Sequence, residues 1–308
     1  MNRQADIDLM ANSMLAMPSI GRLIALGRLR SIALAADGND ATDQIGNLAA
    51  AHHIPVVRIA KDGIRKSIAA WLREYPCERV LVMTFPYKIP ADLLKEHPGL
   101  FVNFHFGLLP AYRGADPVFW EIKNREPFGA VSVHLMDSGW DTGPLILIHK
   151  VPVGQNDTHG MHWNRLAGEG AVALEQYLLK NDAAVPVTPE LQQGGTYFPR
   201  PVYKDVKIDW NEASASGIAA LIRACNPWNK GAFSFLNGIE LRIAEAFVSS
   251  DRTDKAPGSV IISEAGRTLA VACKDGSLLI PTVFCLQEGF FSSGTLLSWG
   301  VGDSYKFH

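Results

Sequence analysis

Residues 31–84 read SIALAADGNDATDQIGNLAAAHHIPVVRIAKDGIRKSIAAWLREYPCERVLVMT. Three short apolar runs, Ser31–Ala35, Val56–Ala60 and Arg79–Thr84, have the length and residue types of strands. Between them, Thr42–Ala51 and Ile64–Glu74 repeat apolar residues at helical spacing, and Asp40 or Thr42 can cap the first of these helices. Strands alternating with helices require right-handed crossovers, which build a parallel sheet with helices on both faces. Toward the N-terminus, Ile7–Ala11 adds a strand and Pro18–Arg28 a helix, with Pro18 suited to its first turn. No G-x-G-x-x-G follows the first strand, so a dinucleotide is not indicated. The expected fold is α/β and Rossmann-like without the dinucleotide signature.

Further strands are expected at Phe101–His105, Ala130–Met136 and Leu145–Val153, then a long helix to about Lys180. From Asn181 to Arg200 the composition changes to three prolines, Gly194-Gly195 and few apolar runs, which reads as a linker. A helix near Ala213–Cys225 follows. Then come short strands at Phe233–Leu236, Glu240–Phe247, Ser259–Ser263, Thr268–Cys273 and Leu278–Phe284. Asn-Gly, Pro-Gly, Ala-Gly and Asp-Gly pairs separate them. Turns at that rhythm predict a small antiparallel, OB-like β-barrel. The expected organisation is an α/β domain over 1–182, a linker over 183–204 and a barrel domain over 205–308.

Composition narrows the class. Apolar residues make up 47% and charged residues 19%, as in a globular enzyme. No apolar run approaches the ~20 residues of a membrane span, and the first residues lack a signal-peptide layout; a cytoplasmic location is the default expectation. The four cysteines, Cys77, Cys225, Cys273 and Cys285, form no C-x-x-C pair and read as free thiols. Net charge is −2, and between residues 200 and 308 Lys plus Arg balance Asp plus Glu, so bulk charge does not announce a nucleic-acid binder.

The stretch that carries chemistry is Phe101–Pro144, FVNFHFGLLPAYRGADPVFWEIKNREPFGAVSVHLMDSGWDTGP. Asn103 and His105 lie two apart on one strand and share a face, while Phe104 and Phe106 take the other. Ligands bind at the carboxyl ends of strands in open α/β sheets, and Asp141, in a turn after another strand, can reach the same crevice. An amide, an imidazole and a carboxylate at one point suit acyl transfer: two donors face the developing oxyanion and the carboxylate holds an imidazolium. Asp137 reads as a strand-end cap. Two Asp-containing turns four residues apart do not make an aspartic-protease pair. His159 and His162 form an H-x-x-H with no third ligand type, so they are expected at a helix start on the surface and no metal is expected. His52-His53 read as a helix end, and Trp120 as packing for a helix over Pro117–Arg125.

The pattern N-x-H-x-x-L-L-P-x-Y-R-G followed by M-D-x-G-x-D-T-G-P resembles the signature of folate-dependent formyltransferases, a family acting on methionyl-tRNA, glycinamide ribonucleotide or sugar nucleotides. The resemblance implies catalytic roles for Asn103, His105 and Asp141 and 10-formyltetrahydrofolate as donor. It also implies a pteridine pocket from Phe85, Tyr87, Ile89, Pro90, Met136, Asp137, Gly139 and Trp140, walled by Leu109 and Pro110. Gly195-Thr196-Tyr197, Ile208-Asp209-Trp210 and Ile222–Trp228 are similar to the linker and barrel entry of the methionyl-tRNA type. The N-terminus departs, with Met10–Pro18 where the family has G-T-P-x-F-A.

Three further departures point the acceptor away from tRNA. Where the tRNA type carries a basic, glycine-rich insertion, this chain has the short acidic segment 36–43. It has Tyr112-Arg113-Gly114 where Trp-Arg-Gly is usual, and its barrel is charge-balanced, whereas phosphate-backbone binding draws on Lys and Arg. The expected acceptor is a small amine, an amino sugar nucleotide or an amino acid that is free or carrier-bound, with Tyr112, Arg113 and Gly114 on the acceptor side. For Arg113 a plain surface position stands equally open. Methionyl-tRNA formyltransferase and formyl-folate hydrolase are the alternatives. A small-molecule amine rather than tRNA, no membrane, and a homodimer compatible with the sequence complete the expectation for partners.

Overall fold

A computed structural model of the protein describes residues 6–182, 189–263, 268–287 and 289–308. The chain forms two compact units. The first comprises the chain through Pro117 with Phe128–Pro152 and Trp163–Phe198, and the second Val118–Pro127, Val153–His162 and Pro199–His308.

In the first unit, β1 (Ile7–Ala11), α1 (Met17–Ala25), β2 (Leu29–Ala35), α2 (Asp40–Ala51), β3 (Val56–Ile59), α3 (Ile64–Glu74) and β4 (Arg79–Met83) alternate as expected; a further helix, α4 (Ala91–Glu96), which was not expected, precedes the expected β5 (Phe101–His105). Pro18 lies in the first turn of α1. The α2 N-cap is Asn39 rather than Asp40 or Thr42: its side chain accepts from Thr42 N while Thr42 Oγ1 accepts from Asn39 N, a reciprocal box. His52 is the C-cap of α2, so the His52-His53 pair is a helix end.

The sheet order is β3-β2-β1-β4-β5-β7-β8, with β7 Phe128–Leu135 and β8 Leu145–Pro152. It is parallel from β3 to β5. Beyond β5 it departs from the all-parallel expectation, because β7 runs antiparallel to β5 and β8 antiparallel to β7. For the β7–β8 pair the physical reason is connection length: only nine residues join them, too few for the crossover that parallel neighbours need.

One face of the sheet is covered by α3 and α4 through Ile68, Trp71 and Leu93, with Ile89 from the loop before α4, packed on Met10, Val80, Val82 and Phe101. Trp71 is fully buried, which contributes roughly 2–3 kcal/mol by area. Its Nε1 donates to Ser31 Oγ at 2.8 Å, and Ser31 Oγ donates to the buried Asp8 Oδ1 at 2.8 Å. On the other face Phe104 meets Tyr177 of α6 (His159–Asn181) edge-on at 5.7 Å. Asn103 and His105 therefore share the face opposite Phe104, as strand alternation requires.

Of the expected linker, 183–188 lie outside the described residues. Residues 189–198 belong to the first unit, where β9 (Tyr197–Phe198) pairs in parallel with β6 (Arg113–Gly114).

The second unit holds α5 (Pro117–Lys123, from Val118 on), α7 (Tyr203–Val206), α8 (Ala215–Ala224) and an antiparallel sheet of order β10-β11-β14-β13-β12, with β15 on β14. The strands are β10 Ala232–Leu236, β11 Ile239–Arg252, β12 Val260–Ile262, β13 Leu269–Ala272, β14 Ser277–Leu286 and β15 Gly289–Ser292. Asn237 and Gly238, with φ of 47° and 85°, make the tight β10–β11 hairpin expected of Asn-Gly. The expected Ala265-Gly266 turn lies outside the described residues. Residues 305–308 close the sheet into a barrel: Phe235 and His308 exchange backbone hydrogen bonds on the β10 side, and Phe307 N donates to Gly258 O beside β12. Phe307 is buried between Trp210 and Phe284. Strand β15 and the following α9 (Ser293–Ser298) lie beyond the last expected strand.

All four cysteines are free thiols, three of them buried. Trp120 is a packing residue, with its Nε1 on Pro199 O. The surface expectation for His159 and His162 is overturned: both are buried, and His162 Nε2 lies 3.9 Å from a carboxylate oxygen of the equally buried Glu121. The two imidazoles at the start of α6 face Glu121 of α5 and Trp228 of the same unit instead of solvent.

Candidate active site

The site begins at the end of β5. The β5–β7 register sets Asn103 opposite His134 and His105 opposite Ser132. Ser132 Oγ donates to Gly107 O at 2.7 Å and accepts from Leu109 N at 3.2 Å, which pins the loop after β5 to the sheet. That loop leads to Tyr112, whose ring stacks on Phe198 at 5.0 Å, and then to β6.

His105 Nε2 lies 2.6 Å from Tyr112 O. A carbonyl can only accept, so Nε2 carries the proton, and Nδ1 faces Asp141 Oδ2 at 3.6 Å. Asp141 sits in the β7–β8 turn in a left-handed conformation, φ 54°. Its Oδ2 accepts from Gly114 N at 2.9 Å and its Oδ1 from Asn103 Nδ2 at 3.2 Å. Burial acts to raise the Asp141 pKa. The charge of His105, the nearby His134 imidazole and the Gly114 amide outweigh it and hold the carboxyl well below the usual carboxylate range.

Two glycines make this approach feasible. A Cβ on Gly114 (φ 101°) would lie 2.2 Å from Phe198 O, and one on Gly143 would lie 1.8 Å from Leu135 O.

His134 was not among the expected site residues. Its Nδ1 lies 2.7 Å from Leu135 O and must donate, which leaves Nε2 to accept from Asn103 Nδ2 at 3.1 Å. Both Asn103 N–H groups thus turn inward, one to Asp141 and one to His134. A polar pair, Ser132 and His134, spaced two apart on an otherwise apolar strand, was the sequence signal for it. Gln192 was also missed: its Nε2 donates to Asp141 O at 2.9 Å and to Gly143 O at 2.8 Å.

The structure brings Asn103, His105 and Asp141 together, and it places Tyr112 and Gly114 in direct hydrogen-bond contact with them. Arg113 is turned to Gln192, donating from Nε and Nη2 at 3.1 and 2.8 Å. The remaining expected pocket residues divide. Ile89 is buried in the core, where Phe85 and Met136 pack partly exposed against the same cluster. Phe85 meets Tyr87 edge-on at 5.3 Å, and the Tyr87 hydroxyl donates to Asp37. Pro90 begins α4, Leu109 is buried, and Pro110 O accepts from Thr196 N. Asp137 Oδ1 accepts from Gly139 N and Thr142 Oγ1, capping its own turn as expected. Trp140 is 51% exposed, with Lys88 Nζ 5.4 Å from its ring centre.

Among the described residues no cluster of His, Cys, Asp and Glu could hold a metal ion, and no helix is long and apolar enough to cross a membrane.

Residues 38–178 match the family model "Formyl transferase" and residues 202–285 match "Formyl transferase, C-terminal domain". The methionyl-tRNA formyltransferase of Pelobacter propionicus is 36% identical over 241 residues, covering 77% of this chain and 72% of that protein. That of Lachnospira eligens is 30% identical over 241 residues, covering 75% and 76%. Among solved structures, the sugar 3N-formyltransferase WlaRD has a TM-score of 0.68 at 18% identity, covering 91% of this chain and 97% of its own. The N-formyltransferase of Helicobacter canadensis, solved with folinic acid and dTDP-3-aminofucose, has a TM-score of 0.66 at 17% identity, covering 90% and 99%. At those identities the structures speak for the fold alone.

Proposed function

The chain belongs to the formyl transferase family and uses a formyl-folate as donor, and from that premise we propose that it formylates the amine of a small acceptor at Asn103, His105 and Asp141. The observation that carries the assignment of these residues is their convergence: the His105 imidazole and the Asn103 carboxamide each lie within 3.6 Å of the Asp141 carboxylate.

In the proposed reaction the acceptor nitrogen attacks the formyl carbon and the carbonyl electrons move to oxygen. The tetrahedral oxyanion then collapses, the bond to folate N10 breaks, and N10 takes the proton that the acceptor nitrogen gives up. A carboxyl held far below its ordinary range is a weak base, so Asp141 serves as a fixed anion that holds a cationic His105. The proton passes from the acceptor nitrogen to the leaving nitrogen, while the cationic His105 stabilises the negative charge that develops on the formyl oxygen. When the neutral acceptor amine donates an N–H to Asp141 Oδ1, the Asn103 N–H now on that oxygen is released to the formyl oxygen. Pre-placed donors of this kind contribute about 3–4 kcal/mol each in acyl transfer.

Tyr112, Arg113 and Gly114 form the acceptor side in this reading, and Phe85, Tyr87, Met136, Leu109, Pro110 and the Asp137–Trp140 turn form the folate side. The small-amine reading is supported by the β2–α2 connection. It spans only residues 36–39, is tied back by Asn39 Nδ2 on Asn12 O, and presents Asp37 to Tyr87. A short acidic link offers nothing to grip a phosphate backbone. The methionyl-tRNA reading draws on the names of the curated relatives at 30–36% identity.

The deciding experiment offers the purified protein 10-formyltetrahydrofolate with dTDP-3-aminofucose, free amino acids or charged initiator methionyl-tRNA, and follows formyl product by mass. Product on a small amine is the expected result. Product on methionyl-tRNA alone would sink this acceptor, and formate without any acceptor would indicate hydrolysis.

A further inference from the structure

The turn that bears Asp141 is gripped from a side the three proposed catalytic residues do not use. Gln192 spends both N–H groups of its carboxamide on that turn, at Asp141 O and Gly143 O, and accepts from Arg113 Nε and Nη2 on its Oε1. The flanking backbone is fastened to the same two loops. Glu190 and Leu145 exchange hydrogen bonds of 2.7 and 2.8 Å, Thr196 N donates to Pro110 O at 3.1 Å, and Arg113 N donates to Thr196 O at 3.0 Å. One planar group therefore ties the loop after β5 to the turn after β7.

The turn needs such a grip. A non-glycine residue at φ 54° is held in a sparsely populated backbone state, tolerated by Asp but not preferred. In that state the carbonyl of Asp141 points away from the sheet ladder, and Gln192 is what it meets.

We infer that Gln192 is a positioning residue, fixing the 141–143 backbone so that the Asp141 carboxylate stays aimed between Gly114 N, Asn103 Nδ2 and His105 Nδ1. The inference rests on the reading of Asp141 as the anion that holds His105. A carboxamide is the group that fits: two carbonyls need two donors, and the guanidinium of Arg113 needs an acceptor on the same plane. An ionised Glu has no donor for the turn, and Asn falls one methylene short. The groups that face the Asp141 carboxylate are His105 and Asn103 from β5, His134 from β7 and the Gly114 amide from β6; Arg113 reaches the turn through Gln192.

The test is a carboxyl 13C NMR titration of the full-length protein, with the Asp141 resonance assigned by its loss in Asp141→Asn. In the native chain Asp141 stays ionised to the lowest pH at which the protein remains folded. In Gln192→Met the carboxylate loses its aim, and its midpoint moves up by about two to three pH units, into the accessible range. Gln192→Asn gives the same direction should the Met variant not fold, with far-UV circular dichroism as the check on folding. An Asp141 that titrates identically in native and Gln192 variants overturns the inference, since a role confined to stability would leave that midpoint in place. Formyl transfer surviving in Asp141→Asn would instead overturn the role given to Asp141, and the two failures are read from different measurements.

Discussion

Among the described residues each unit holds a histidine–carboxylate group with little exposure, and the two differ in what surrounds the carboxylate. In the first unit Asp141 receives a backbone amide, a carboxamide and the faces of His105 and His134, at the ends of strands where a ligand can enter. In the second unit Glu121 and His162 are both at 0% exposure, sealed between α5 and the start of α6. Burial and proximity are common to both. What separates a reactive group from a packed one is directed hydrogen bonding around an opening, and the expected experiments probe that separation.

The largest effect is expected at Asp141. Asp141→Asn keeps the shape and removes the charge that holds His105, and formyl transfer should fall about 10³-fold, near 4 kcal/mol. Release of tetrahydrofolate measures it. Glu121→Leu should leave that rate within about threefold and instead strand a buried imidazole, lowering unfolding free energy by roughly 3 kcal/mol in urea melts. The double variant Glu121→Leu with His162→Leu should recover most of the loss, because a packed apolar pair replaces a buried polar one. A large loss of transfer in Glu121→Leu would break the comparison.

His134→Phe should cost about tenfold in turnover, near 1.4 kcal/mol, with little change in KM for the formyl-folate, since it removes a partner of Asn103 and not a contact with donor. The smallest effect is on pH dependence. The Asp141 pKa is depressed on folding, so its contribution to stability is complete above the unfolded value of about 3.9 and is lost as pH falls below it. The stability difference between native protein and Asp141→Asn should therefore be constant from about pH 5 upward and shrink only in more acidic solution, as read from urea midpoints across pH.

Much of the first unit was legible because local signals agreed with the final packing. Strands β1, β2, β4 and β5 are largely apolar runs buried on both faces, and the helices between them carry clear apolar stripes. Asn103, His105 and Asp141 stood out because polar residues at strand ends break that pattern. The direction of β7 against β5 was not legible, since a strand looks the same read in either sense; the brevity of 136–144 fixes only that β8 runs back along β7. Gln192 was hidden because its role depends on contacts some fifty residues away in a stretch whose prolines and glycines read as a connector. His159 and His162 were assigned to the surface on local spacing, and it is Glu121 and Trp228, remote in sequence, that enclose them.

The closing of the barrel by residues 305–308 has a consequence for the order of events on the ribosome. The sheet of the first unit needs nothing beyond Pro152, so it can assemble while translation continues. The second unit cannot join β10 to β12 until Tyr305–His308 have emerged, and until then both outer strands present unpaired edges. A nascent chain stalled just short of these residues should carry a finished α/β half beside an open, aggregation-prone sheet.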